Sequence, residues 1–240
     1  MLLHETAACA DVWAALAAEL GDGTRSIAFD RRGWGGSGAP EVYVRTTVEE
    51  QAQDAAGVLD RHGIAAAVIC GAGIGAVAAL ELLLRQPALV RAAVLVEPPL
   101  LAFLPDATEG LSADRQAIEE ALREGGPAAA LDLYLGGGLP YLGPGAERIP
   151  RSATATARER PLSLFAELAA VPAWPIRSAE LAAAATPSRI VVGASTPPPL
   201  RAAAEQLGDR LAETQLLRLE GPGLPHVGAA AELASQLRAL

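Results

Sequence analysis

Val68-Ile69-Cys70-Gly71-Ala72-Gly73-Ile74-Gly75-Ala76 reads as a short apolar strand, a tight turn and the opening of a helix. In strand-to-helix turns of the pattern G-x-S-x-G, the middle residue carries an attacking hydroxyl on a strained backbone. Here Gly71 and Gly75 hold the flanking positions and Gly73, in the middle, has no side chain. The turn has the form of a nucleophile's support without the nucleophile.

Outward from this turn the chain alternates strand and helix. Met1–His4 reads as the end of a strand, Ala10–Leu20 as a helix stopped by Gly21, and Ser26–Asp30 as a strand leading into the glycine-rich loop 31–38. Thr47–His62 has helical periodicity, opens with Thr47 and Glu50 in capping-box spacing, and stops at Gly63. Ala66–Cys70 is a strand, Ile74–Arg85 a helix and Ala92–Val96 a strand, a pattern of parallel βαβ units. Residues 98–186 are helical, with breaks at Gly125-Gly126-Pro127, Gly136-Gly137-Gly138 and Pro172–Pro175. Alternation returns with Arg189–Val192, Leu200–Leu207, Gln215–Leu219 and Ala229–Leu240. A core of 1–97 and 187–240 with a helical cap of 98–186 follows, and the ligand cleft of such a sheet lies at the strands' carboxyl ends, under the cap.

Composition narrows the function. Hydrophobic residues make up 51% of 240 positions, too many for disorder, and the apolar runs break before membrane-spanning length. No basic, apolar leader opens the chain, so a cytoplasmic protein is expected. A net charge of −9 with no basic patch disfavours nucleic acid. Cys9 and Cys70 make neither a disulfide framework nor a zinc site, and no metal or cofactor is expected. The absence of lysine excludes Schiff-base chemistry.

Three segments together resemble the α/β-hydrolase superfamily: the turn at 71–75, the opening Leu2-Leu3-His4-Glu5-Thr6, and Phe29-Asp30-Arg31-Arg32-Gly33-Trp34-Gly35-Gly36-Ser37-Gly38. The resemblance implies an α/β-hydrolase fold with a mostly parallel sheet and a helical cap inserted after the Ala92–Val96 strand. Members usually carry two strands before the one that ends in His-Gly, and this chain begins inside that later strand. Ser26–Asp30 would then be a sheet edge, where either a homodimer partner or some cover is expected.

The resemblance also assigns positions. The nucleophile position is Gly73. Oxyanion-type backbone donors would be Glu5 and Ile74, with Glu5 standing where the family has glycine, and a carboxylate there disfavours a developing oxyanion. Thr196 occupies the usual acid position and cannot hold a charge that orients a histidine. Glu97, at the end of an earlier strand, is either an alternative acid or structural. Leu224 takes the histidine position in an ungapped alignment, and His226 matches a second, non-catalytic histidine or swings inward as an acid/base group. His4 shapes the oxyanion turn and is expected to line the pocket, and Asp30 and Arg31 brace the glycine-rich loop. Trp34, Tyr134, Tyr141, Phe165 and Trp174 are expected to line the pocket with Thr196 and Leu224, or to pack in the core.

Without a hydroxyl at Gly73 no acyl-enzyme can form there. The leading expectation is an enzyme of specialised metabolism that binds an apolar small molecule and promotes cyclisation, rearrangement, elimination or addition. Positioning alone lowers a barrier by about 7–11 kcal/mol in favourable cases. Glu97, Glu5 or His226 would move the proton. The alternatives are a catalytically dead ligand- or partner-binding relative, and a hydrolase in which His226 with Glu97 activates water.

Overall fold

The structure is a computed structural model that describes residues 1–145 and 148–240. Five parallel strands lie side by side in chain order: β1 (Leu2–Leu3), β2 (Ala67–Ala72), β3 (Val90–Val96), β4 (Ser188–Gly193) and β5 (Thr214–Leu219). Between β1 and β2 come α1 (Ala14–Leu20) and α2 (Val48–Arg61), and α3 (Ile74–Arg85) joins β2 to β3. Among the described residues, α4 (Ala107–Leu135), α5 (Arg151–Thr154), α6 (Leu162–Leu168) and α7 (Ser178–Ala182) lie between β3 and β4. α8 (Pro198–Gly208) precedes β5, and α9 (Pro225–Gly228) and α10 (Ala230–Arg238) follow it. This is the α/β-hydrolase fold, as the sequence led us to expect.

The central strands are buried on both faces, which is why they read as continuous apolar runs. Ala93 and Leu95 pack with residues of α2, α3 and α8, whereas Val94 and Val96 point the other way, towards α1 and α10. α2 begins where its sequence signal lies. The Thr47 hydroxyl accepts the Glu50 N–H at 3.2 Å, and the Glu50 carboxylate accepts the Thr47 N–H at 3.0 Å.

One local expectation is corrected. Ser26–Asp30 does not form a strand and touches β1 through the single bridge between Ala28 and Leu2. β1 is only two residues long, so a flanking segment has almost no ladder to extend. The expected break at Gly125-Gly126-Pro127 is present: Gly126 is non-helical, at φ 74° and ψ −171°, and divides α4 into two helical stretches. Among the described residues no helix is long and apolar enough to cross a membrane.

The sheet meets α3 through a close backbone approach. A Cβ on Gly75 would stand 2.3 Å from the Leu3 carbonyl oxygen and 2.7 Å from that of His4. The end of β1 is thereby laid directly on the first turn of α3. Gly57, in the exposed middle of α2, meets nothing within 4 Å and has no positive φ. The same substitution therefore has opposite effects at the two sites. Gly57→Ala is expected to raise stability by about 0.4–1 kcal/mol, and Gly75→Ala to lower it by more than about 3 kcal/mol, both read from urea denaturation midpoints.

Candidate active site

Each strand delivers a residue to one edge of the sheet, the carboxyl edge where open α/β sheets hold ligands. Gly73 follows β2 and caps the N-terminus of α3 with φ 54° and ψ −126°, a backbone that L side chains rarely adopt. A Cβ built on Gly73 would lie 2.8 Å from the Glu5 Cβ. The space above the turn is therefore filled by Glu5, arriving from the loop after β1. Positions 5 and 73 cannot both carry a side chain in this backbone.

Glu5 is 6% exposed and His226 is wholly buried. Glu5 Oε2 lies 3.4 Å from His226 Nε2, and none of the four side-chain polar atoms of this pair has a hydrogen-bond partner in the protein. The His226 ring stacks on Trp13 with centroids 4.3 Å apart and planes tilted by 37°. Pro225 starts the short α9, so His226 is set by a rigid turn rather than by a free loop. Two ionisable groups thus face one another in a place where burial without partners is costly.

Glu97 follows β3 with a positive φ of 47°, uncommon for a residue with a side chain. Its Oε1 accepts from Arg148 Nη2 at 2.5 Å and from the Thr196 hydroxyl. Thr196 Oγ1 in turn accepts the Gly193 N–H at 2.6 Å. No hydrogen bond or ion pair joins Glu97 to His226 among the described residues, so the expected His226–Glu97 pairing is replaced by His226 with Glu5. A buried Glu97 carboxylate is held by guanidinium and hydroxyl donors instead.

The turn at His4–Glu5 is braced from below. The Arg31 N–H donates to His4 Nε2 at 2.9 Å, so His4 Nδ1 carries the proton and donates to the Glu5 carbonyl at 2.7 Å. Burial, then the Arg31 charge, hold His4 well below its ordinary pKa, and it stays neutral. Arg31 also donates through Nε to the His4 carbonyl at 2.7 Å and pairs with Glu167 of α6 at 2.5 Å. Thr6 donates its hydroxyl to the same Glu167 at 2.7 Å. Among the described residues the backbone N–H groups of Glu5 and Ile74 donate to no protein acceptor. Burial pushes the Cys70 thiol up to about 12, which leaves it unreactive at neutral pH.

A cavity of about 190 Å³ opens above these residues, between the sheet edge and the helices of 98–186. Glu5, Gly73, Ile74, Glu97, Leu224 and His226 line it from below. Tyr134, Tyr141 and Trp174 contribute from the other side. Four expected lining residues do not. His4 is wholly buried in its hydrogen bonds, Trp34 is buried within the cluster of α4 and α6, Phe165 packs on that cluster, and Thr196 touches the cavity only through Glu97. The sequence reading missed Glu167, Arg148 and Trp13. Glu167 carried a signal, a charge set in the apolar run Leu164–Leu168; Arg148 and Trp13 carried none.

Comparison with known proteins agrees with this architecture. The alpha/beta hydrolase family model matches residues 2–236. A thermophilic esterase from Thermogutta terrifontis superposes with a TM-score of 0.74 at 21% identity, over 99% of this chain and 87% of that one. The enol-lactonase from Burkholderia xenovorans LB400 gives 0.70 at 20% identity, over 99% and 88%. No curated protein matches the sequence.

Mutual exclusion of side chains at 5 and 73 has a stability signature. Gly73→Ser alone is expected to destabilise the fold, and Glu5→Gly added to it to recover part of the loss. The coupling should be about 1–3 kcal/mol in a double-mutant cycle by urea denaturation; additivity would show that Glu5 yields freely. His4 has a pH signature. Its folded pKa lies below its unfolded value near 6.5, so the unfolded state binds the proton first, and stability is lost as pH falls below that value. Between pH 7 and 5 the slope of stability against pH should be smaller in His4→Asn than in wild type, by up to about 1.4 kcal/mol per pH unit.

Proposed function

We propose that this chain, which belongs to the alpha/beta hydrolase family, is an acid/base enzyme that promotes a non-hydrolytic reaction of an apolar small molecule. The observation that carries this reading is the pair Glu5–His226, buried, unpartnered and lining the cavity beside a turn with no nucleophile. On this reading the family's usual Ser-acid-His set is gone. Gly73 has no hydroxyl, and Thr196 is a ligand of Glu97 rather than a charge behind a histidine.

The chemistry follows from where charge moves. Glu5 takes a proton from a carbon next to a substrate carbonyl, and the C–H electron pair becomes an enolate. The carboxylate becomes neutral in the same step in which the substrate oxygen becomes negative. The Glu5 and Ile74 N–H groups then receive that oxygen with no like charge beside it. His226, 3.4 Å from Glu5, relays the proton back at a second position. Isomerisation, elimination or ring closure all begin this way. In acyl transfer the Glu5 carboxylate would instead stay charged next to a growing oxyanion, which opposes the reaction.

A second reading is hydrolysis by water that Glu5 and His226 activate directly. The two free backbone donors support it, as does the occurrence of this fold in an esterase and an enol-lactonase. A purely binding role has less support, because a receptor for apolar ligands needs no unpaired ionisable pair in its wall.

Deuterium uptake from D2O into cyclohexanone, followed by proton NMR, tests the first reading. Wild type should exceed the buffer rate, and Glu5→Gln and His226→Gln should each lower the enzymic rate by about 10²–10⁴-fold. Exchange at the buffer rate would sink it. Turnover of p-nitrophenyl acetate without a burst, lost in the same two variants, would favour the second reading instead.

A further inference from the structure

The ionisable carboxylates and imidazole along the cavity wall are those of Glu5, Glu97, Glu167 and His226. Among the described residues no arginine lines it, and the chain contains no lysine. Two of the three carboxylates are satisfied from behind the wall, Glu97 by Arg148 and Thr196, Glu167 by Arg31 and Thr6. Glu5 is not. Its oxygens are buried, have no hydrogen-bond partner in the protein, and meet one ionisable neighbour, His226, at 3.4 Å.

A buried carboxylate without donors is unfavourable, and an occupant that brings a donor removes that penalty. An occupant that brings a carboxylate adds like charge beside Glu5, where no arginine or lysine lines the wall to receive it. Most of the remaining wall is apolar, with Leu101, Val171 and Trp174 for the body of the molecule, and Thr6, Tyr134 and Tyr141 add hydroxyls.

We infer that the cavity takes an apolar molecule whose polar group is a hydrogen-bond donor, a hydroxyl or a protonated amine held by Glu5, and that it rejects carboxylates. This rests on the proposed role of Glu5 as the group that meets the substrate. It goes further in fixing the sign of charge the substrate carries.

Benzylamine, benzyl alcohol and benzoate share one ring and differ in that sign. Isothermal titration calorimetry at pH 7.5 should show benzylamine binding at least about tenfold tighter than benzoate, with benzyl alcohol between them. Glu5→Gln should shrink the amine's advantage over benzoate at least about fivefold, since an amide donates to an anion as well as accepting. Leu101→Trp, which takes up space in the cavity, should weaken all three alike and so place them there. Benzoate binding as tightly as benzylamine, an unchanged ranking in Glu5→Gln, or no binding by any of the three overturns the inference. Loss of deuterium exchange with the ranking intact would overturn the catalytic reading alone.

Discussion

The end of β1 lies directly on the first turn of α3, and the site depends on that contact. Gly75 admits the carbonyls of Leu3 and His4 at distances no Cβ would tolerate, and Gly73 admits the Glu5 side chain. Once the two backbones are that close, the residue that follows His4 must project over the turn. Glu5 therefore reaches the sheet edge on a rigid support, the kind of placement acid/base chemistry requires. The support is fixed in turn by His4, whose single proton is directed by the Arg31 N–H, and by the Arg31–Glu167 pair that reaches across to α6. Removing one partner of such a buried pair costs about 3–5 kcal/mol. A loop that carries a candidate catalytic residue is thus locked to the helices above it.

Most of the architecture was legible in the sequence because its signals are local. The bounds of α3 are Ile74–Arg85 in both readings, and the capping box of α2 is formed as its spacing implies. Where the outcome hinges on a neighbour, the sequence was silent. Ser26–Asp30 has strand-like residues, but its partner β1 is too short to hold it. Gly126 and Pro127, by contrast, are breakers by composition alone, and the non-helical φ 74° and ψ −171° at Gly126 divide α4 there.

The candidate site was legible as a set of residues and not as a set of pairs. Glu5, Glu97 and His226 were all recognisable as ionisable groups in the right loops, and all three line the cavity. Which of them meet depends on Arg148, 51 residues along the chain from Glu97, and on Trp13, which seats the imidazole. No spacing rule links those residues. The outcome divides the carboxylates by chemistry: Glu97 is a neutralised structural charge, and Glu5 is left with its lone pairs unused.

The steric conflict between positions 5 and 73 also constrains how such a site can arise. A chain with glycine at 5 and serine at 73 and a chain with glutamate at 5 and glycine at 73 are not joined by direct exchange, because the intermediate with both side chains is crowded at 2.8 Å. The open route passes through glycine at both positions, a form with neither hydroxyl nor carboxylate over the turn. In genetic terms the two positions are expected to be epistatic: with Glu5 in place a side chain at 73 is crowded, and without it the position is open. Starting from this chain, the order of exchange therefore matters, since exchange at 73 first meets the crowded state and exchange at 5 first avoids it.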